Sequence, residues 1–247
     1  MLVSTCQRIR ELKAELKVLN RKAQESEKMK QAFINSICHE IRTPLNSIVG
    51  FSDLIMNEDI DEEMRREFPA EIQKSTLLLT GLVNSMLEVA NLDVSEDKLP
   101  CGPTDIRNIC IQEMEKISPK PRIKYQLDIT EDTLFIPTNA QYLTMVIEHL
   151  LNNANKFTEE GFIALGYKVN LSKNQICISV TDSGCGIPKE KQEEVFNRFS
   201  KLDTFVPGNG LGLYLCRLIV KRLDGEIKID PEYTDGTRVV VNLPMNE

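Results

Sequence analysis

Apolar residues open the chain at alternating spacings of three and four: Ile9, Leu12, Leu16, Leu19 and Ala23, with Lys and Glu on the remaining positions. That is a heptad seam. The row runs on through Phe33, Ile37, Ile41, Leu45 and Ile48 and predicts one long helix to about Asn57. Pro44 lies inside it and is expected to bend it, because proline removes a backbone donor and crowds the preceding turn. The acidic run at 57–63 reads as a turn followed by a helix start, with acids favourably placed at the positive end. A second helix then carries Phe68, Ile72, Leu79, Leu82, Val83 and Met86 to about Leu92. Pro69 is expected near its start, where proline costs least. Two helices joined by a short turn make a hairpin with too little core for itself. Two hairpins are therefore expected to pair as an all-α dimeric four-helix bundle.

The segment 95–104, with Pro100, Gly102 and Pro103, reads as a linker. Beyond it the period changes. A helix at 104–117 gives way to an alternating strand at 123–129, and a helix follows at 139–156. Two β-rich runs occupy 162–170 and 175–182, a helix 211–223, and strands 226–230 and 237–243. Helices mixed with mostly antiparallel strands predict an α+β sandwich, a sheet covered by helices on one face.

Composition narrows the function. A net charge of -7 disfavours nucleic acid as the main partner. The charge is uneven: residues 1–30 carry eight Lys/Arg against four Glu, a bias that suits a segment just inside a membrane or an ordinary solvated coiled-coil face. No run approaches the ~18 apolar residues of a membrane span. The seven cysteines include no CxxC pair. A reduced, cytoplasmic setting without zinc is the expectation.

Four strings in the second half and one in the first carry candidate chemistry. In FINSICHEIRTPLNSIVGF (33–51), His39 is two residues from both Ile37 and Ile41. Two residues are ~200° of helix rotation, so His39 points away from the seam. An exposed imidazole is an available nucleophile, and a carboxylate such as Glu40 could hold one ring nitrogen and leave the other more basic. An ordinary surface pair is the plainer alternative from these two residues alone. EHLLNNANKFTEEG (148–161) sets amides and a lysine at a helix end, and amide oxygens suit Mg²⁺. DSGCGIP (182–188) follows a strand; its glycines allow close backbone approach, and Asp182 could accept from an exocyclic amine. GNGLGL (208–213) opens a helix and offers backbone donors to phosphate. It matches neither the P-loop nor the dinucleotide spacing. The intervening polar stretch at 193–210, punctuated by Phe196, Phe199 and Phe205, reads as a lid over a nucleotide.

Taken in order, these strings resemble the sensor histidine kinases of two-component systems. His39, Glu40, Thr43, Pro44 and Leu45 match H-E-x-x-T-P-L, the phosphoacceptor box. The four later strings resemble the N, G1, F and G2 boxes of the kinase ATP-binding domain, in a superfamily shared with gyrase B, HSP90 and MutL, and DGTRVVVNLP (235–244) resembles the closing box. The resemblance implies a signal-transmitting coiled coil at 1–28, a dimerisation and phosphoacceptor domain at 29–95, and a catalytic ATP-binding domain at 96–247. It implies ATP and Mg²⁺ as cofactors, with Asn153 on the metal, Lys156 and Arg198 on phosphates, and Asp182 on the adenine amine. Gly184 and Gly186 would shape the adenine pocket. Gly208, Gly210, Leu211 and Gly212 would form the lid hinge and phosphate contact, and Thr237 would border the nucleotide.

The implied activity is autophosphorylation of His39 with Glu40 as base, then transfer to an aspartate of a response regulator receiver domain. Thr43 would position water for dephosphorylating that regulator. The implied partners are a second copy of the chain and the regulator, with the parent protein anchored in a membrane through a missing N-terminal region. The sequence departs from the family pattern at His149, where asparagine opens the N box, at Cys38, where serine is usual, at Thr138-Asn139, where Thr-Asp is usual, and at Pro69. A clamp ATPase of the gyrase type is disfavoured by the histidine box. A degenerate kinase scaffold is disfavoured by the intact Asp182, Asn153 and glycines.

Overall fold

A computed structural model of the chain describes residues 2–56, 61–94, 99–130, 132–198, 200, 202 and 210–245. It divides into two compact units, one running to Leu82 and one starting at Val83. Helix α1 spans Leu2–Ile55 and helix α2 spans Glu62–Val94. Both end within two residues of the expected positions, the ordinary scatter of helix termini. Of the early heptad, the side chains of Ile9, Leu12, Leu19, Ala23 and Phe33 lie outside the described residues, and Leu16 is exposed.

Helix α1 continues through Pro44, which is buried. Proline deprives the Glu40 carbonyl of its usual donor. Around it the hydroxyls bond back onto the helix: Thr43 Oγ1 donates to the His39 carbonyl at 3.4 Å, and Ser47 Oγ to the Thr43 carbonyl at 3.2 Å. Such back-bonds accompany local helix bending. Pro69 departs from expectation. Helix α2 begins at Glu62, and Arg65 N already bonds the Asp61 carbonyl at 3.0 Å, so Pro69 stands about two turns inside. Phe68, Ser75 and Leu82, spaced by seven, form the buried row of α2 in the first unit. The Phe68 ring meets Phe51 of α1 at 5.5 Å between centroids. Leu45, Val49, Leu77 and Leu78 stay exposed.

The second unit holds a five-stranded sheet in the order β2-β4-β5-β7-β6. Its strands are β2 (Ile123–Asp128), β4 (Gly161–Asn170), β5 (Gln175–Asp182), β6 (Glu226–Ile229) and β7 (Thr237–Pro244). Only β2 and β4 run parallel. Alternation decides the inner face: Ile163, Leu165 and Tyr167 of β4, Ile176, Ile178 and Val180 of β5, and Val239, Val241 and Leu243 of β7 are all buried. Three helices cover it, α3 (Ile106–Lys116), α4 (Ala140–Phe157) and α5 (Gly212–Arg222). The stripe on α4 is Leu143, Val146, Ile147, Leu150, Leu151 and Ala154, a helical period read directly in burial. Val89 and Leu92, from the end of α2, join this same core, and Arg222 donates to the Leu92 carbonyl at 3.1 Å.

One element escaped the sequence. Strands β1 (Gly102–Asp105) and β3 (Phe135–Thr138) pair as a separate antiparallel ribbon, so the expected linker ends in a strand. Pro103 lies opposite Pro137 in that ribbon. A two-stranded ribbon has only edges, where proline interrupts no central ladder. The ribbon leads into helix starts. Asp105 Oδ1 accepts from Asn108 N at 3.1 Å to cap α3, and Asn139 Oδ1 accepts from Tyr142 N at 3.1 Å to cap α4. Asn139 therefore does the capping expected of the aspartate it replaces.

Candidate nucleotide site

Helix α4 presents three polar side chains along one face toward its C-terminal end: His149, Asn153 and Lys156, at i, i+4 and i+7. Neighbouring amides do other work. Asn155 Oδ1 accepts from the Tyr125 hydroxyl at 2.8 Å and its Nδ2 donates to the Ser118 carbonyl at 3.2 Å. Lys120 Nζ ties the Asn155 and Thr158 carbonyls together. Of the amide cluster, Asn155 is thus taken up in structural bonds, while Asn153 shares the face with His149 and Lys156. Helical phase distinguishes them, a signal already present in the sequence.

Helix α5 begins against this face. A methyl group added to Gly212 would sit 3.6 Å from His149 Nδ1 and 4.0 Å from Asn153 Nδ2. No side chain from its N-cap residue, Leu211, closes the start of α5. Its first N–H groups form a positive helix end beside Asn153, the arrangement that favours phosphate. The Arg198 guanidinium stacks 4.8 Å from the Tyr214 ring in the first turn of α5. Lys156 Nζ lies over the adjacent Phe157 ring at 4.7 Å. Gly210 has φ +62° and needs the freedom of glycine. Gly208 and half of the expected lid at 193–210, namely 203–209 with Phe199 and Lys201, lie outside the described residues.

The end of β5 supplies the third wall. Asp182 is buried, and its Oδ1 accepts from Gly184 N at 2.9 Å and Thr237 N at 3.3 Å. Burial raises its pKa above the ordinary carboxylate range, and the two backbone donors partly offset that. Two glycine positions fix this corner. Gly184 lies against the Phe157 carbonyl and Asp182 Oδ1, leaving no room for a Cβ. Gly236, at φ +139°, abuts the Asp182 backbone. The carboxylate is thus oriented by the turn that follows β5 and by β7, where Thr237 is in register with Asp182. Thr237 contributes through its backbone N–H, which no side-chain pattern reveals.

His149 is half-buried, and burial lowers its pKa against the opposing effect of Glu148. Among the described residues its ring has no hydrogen-bond partner. In the first unit His39 is exposed, Thr43 is exposed and Glu40 is half-buried. Among the described residues no hydrogen bond joins Glu40 to the His39 ring. No group of three or more His, Cys, Asp or Glu among the described residues could hold a metal alone. An ion at Asn153 would complete its shell with phosphate oxygens and water, as Mg²⁺ does in nucleotide sites. The donor set therefore fits the metal.

A helix hairpin followed by a mixed sheet with one helical cover defines a two-part class, a helical hairpin joined to an ATPase-type sandwich. Residues 29–94 match the His Kinase A (phospho-acceptor) domain. Residues 138–247 match the Histidine kinase-, DNA gyrase B-, and HSP90-like ATPase. The chain belongs to the sensor histidine kinases. It is 29% identical over 246 residues to Sensor protein EvgS of Escherichia coli O157:H7, covering 96% of this chain and 20% of that protein. It is 28% identical to Sensor histidine kinase GacS of Pseudomonas protegens, covering 93% and 26%. The chain thus spans about a fifth to a quarter of those relatives. Full-length ShkA, solved with AMPPNP, superposes with TM-score 0.65 at 26% identity, over 88% of this chain and 46% of that one. The kinase ThkA, solved with the response regulator TrrA, shares the fold at TM-score 0.69 and 21% identity, over 92% and 65%. No described helix is long and apolar enough to cross a membrane.

Proposed function

We propose that this chain binds ATP with Mg²⁺, phosphorylates its own His39, and passes the phosphoryl group to an aspartate of a response regulator receiver domain. The observation that carries this reading is an exposed imidazole at His39, inside the matched phosphoacceptor segment of a chain whose other half is an ATPase fold. Asp182, oriented by Gly184 and Thr237, accepts from the adenine amine. Asn153 holds the Mg²⁺, while Lys156, Arg198 and the first N–H groups of α5 hold phosphate oxygens. The bound ion supplies charge neutralisation on the β- and γ-oxygens. Transfer to His39 then needs positioning more than covalent machinery. Glu40 takes the ring proton as His39 attacks.

Domains at 1–28, 29–95 and 96–247 serve signal transmission, dimerisation with phosphoacceptance, and nucleotide binding. The exposed Leu45, Val49, Leu77 and Leu78 suit pairing with a second hairpin, giving a homodimer. Thr43, one turn beyond His39, orients water in removing phosphate from the regulator. The parent protein is membrane-anchored, with this part in the cytoplasm. The test is incubation with γ-labelled ATP and Mg²⁺. Label should be stable to base, labile to acid, and absent from H39Q, which still binds ATP. Label retained at normal stoichiometry in H39Q would remove His39 from the mechanism.

A further inference from the structure

We infer that Lys120, with Tyr125 and Asn155, is a positioning clamp that fixes the last turn of α4 and, through it, the reach of Lys156 toward phosphate. The inference rests on the nucleotide site proposed above. Lys156 is the penultimate residue of α4, which ends at Phe157. The last turn of a helix has no intrahelical donors for its carbonyls, and it frays first. Here Thr158 N reaches back to the Ala154 carbonyl at 3.1 Å. The Lys120 ammonium takes two more carbonyls, those of Asn155 and Thr158, one on either side of Lys156. Thr158 is fully buried, whereas Lys156 is exposed. The backbone under Lys156 is therefore pinned on both sides while its side chain stays in solvent.

The clamp is a closed set of bonds. Lys120 N donates to the Tyr125 hydroxyl at 3.1 Å, and that hydroxyl donates to Asn155 Oδ1 at 2.8 Å. Asn155 Nδ2 donates in return to the Ser118 carbonyl at 3.2 Å. The end of α4 is thus tied to the start of β2 and the turn before it, across 30 to 38 residues of chain. Linked hydrogen bonds polarise one another, and a cation among the carbonyls at the negative end of a helix adds charge assistance. None of Ser118, Lys120, Tyr125 and Asn155 belongs to the groups assigned to the nucleotide. The Lys120 ammonium is committed to two backbone carbonyls, so it acts on a phosphate only through the helix end that carries Lys156. A nucleotide that must wait for that turn to form binds with an affinity reduced by the fraction of time the turn is formed.

The test is a double-mutant cycle on the full chain. Affinity for a non-hydrolysable ATP analogue with Mg²⁺, and the melting temperature of the second unit, are measured for K120M in the wild-type and the K156M backgrounds. With the last turn formed about a tenth of the time, K120M lowers affinity about tenfold. K120R, which keeps donors for both carbonyls, restores most of that loss. In the K156M background K120M changes affinity little further, because the residue it acts through is gone, while the fall in melting temperature is the same in both backgrounds. Equal affinity losses in both backgrounds, a lower melting temperature with unchanged affinity, or no recovery in a K120R that melts like wild type would make Lys120 a structural residue only, and would leave the nucleotide site standing. Analogue binding untouched by K156M alone overturns Lys156 as a phosphate contact and this inference with it. A wild-type chain that binds no analogue overturns the nucleotide site itself. Should K120M not fold, Y125F, which removes only the hydroxyl between Lys120 N and Asn155, goes through the same cycle and is decided by the same outcomes.

Discussion

The two units bury their apolar residues differently. In the second unit, sheet and helices share one continuous core, with Leu143, Ile147, Ile163, Ile176 and Leu215 at or below one per cent exposure. In the first, Phe68, Ser75 and Leu82 are buried while Leu45, Val49, Leu77 and Leu78 are between 45% and 67% exposed. The second unit therefore closes its hydrophobic surface by folding, and the first leaves much of it open. Stability of the ATPase unit is a property of one chain. Under the proposed pairing of hairpins, that of the first unit would also depend on the chain's concentration.

Core truncation should break this contrast most visibly. Leu150→Ala, in the buried stripe of α4, should destabilise the second unit by about 2–5 kcal/mol at every protein concentration. Leu45→Ala should cost the isolated hairpin under about 0.5 kcal/mol, yet raise the concentration at which the chain dimerises. Calorimetry across a hundredfold dilution series separates the two. Equal, concentration-independent shifts would erase the distinction.

A smaller effect sharpens the contrast inside the second unit, where function opposes stability. Asp182→Asn should lower ATP affinity by about ten- to a hundredfold, in line with loss of a charge-assisted bond. The same change should raise the melting temperature of that unit by roughly 2–4 °C per kcal/mol gained. The sign follows from burial. With its folded pKa raised, the Asp182 carboxylate is less welcome in the folded unit than in the unfolded chain. That contribution to stability is present below the unfolded pKa and is lost as pH rises through the folded one. Wild type should therefore lose stability over that rise while the asparagine variant does not. A destabilised Asp182→Asn would mean that the two backbone bonds outweigh desolvation. The smallest effect is expected at Thr43→Ala in the hairpin. Dephosphorylation of a regulator should drop several-fold with autophosphorylation nearly unchanged, and equal losses in both assays would refute the assignment.

How much of this was legible in sequence differs by residue. Periodicity placed α4 and α5 within a residue or two, and β5 at its observed limits, because each carries an uninterrupted 3.6- or 2-residue pattern. The β1–β3 ribbon was missed because Pro103 and Pro137 disguise short edge strands as linker. The parallel pairing of β2 with β4 was equally hidden, since strand composition does not encode direction. Asp182 and Asn153 could be singled out as candidates from side-chain type and spacing alone. The backbone donors that orient Asp182, from Gly184 and Thr237, could not, because they exist only after β5 and β7 pair.

That pairing has a kinetic consequence. The hydrogen bond from Thr237 to Asp182 spans 55 residues of chain, and contacts of such separation form slowly because loop closure must precede them. The hairpin, by contrast, joins two helices that follow one another directly and is finished long before β7 leaves the ribosome. Synthesis runs from the N-terminus at about 5–20 residues per second. Each nascent chain therefore displays Leu45, Val49, Leu77 and Leu78 for several seconds before its nucleotide pocket can exist. Under the proposed pairing, hairpins of two chains on one message would be available to each other before β7 pairs with β5.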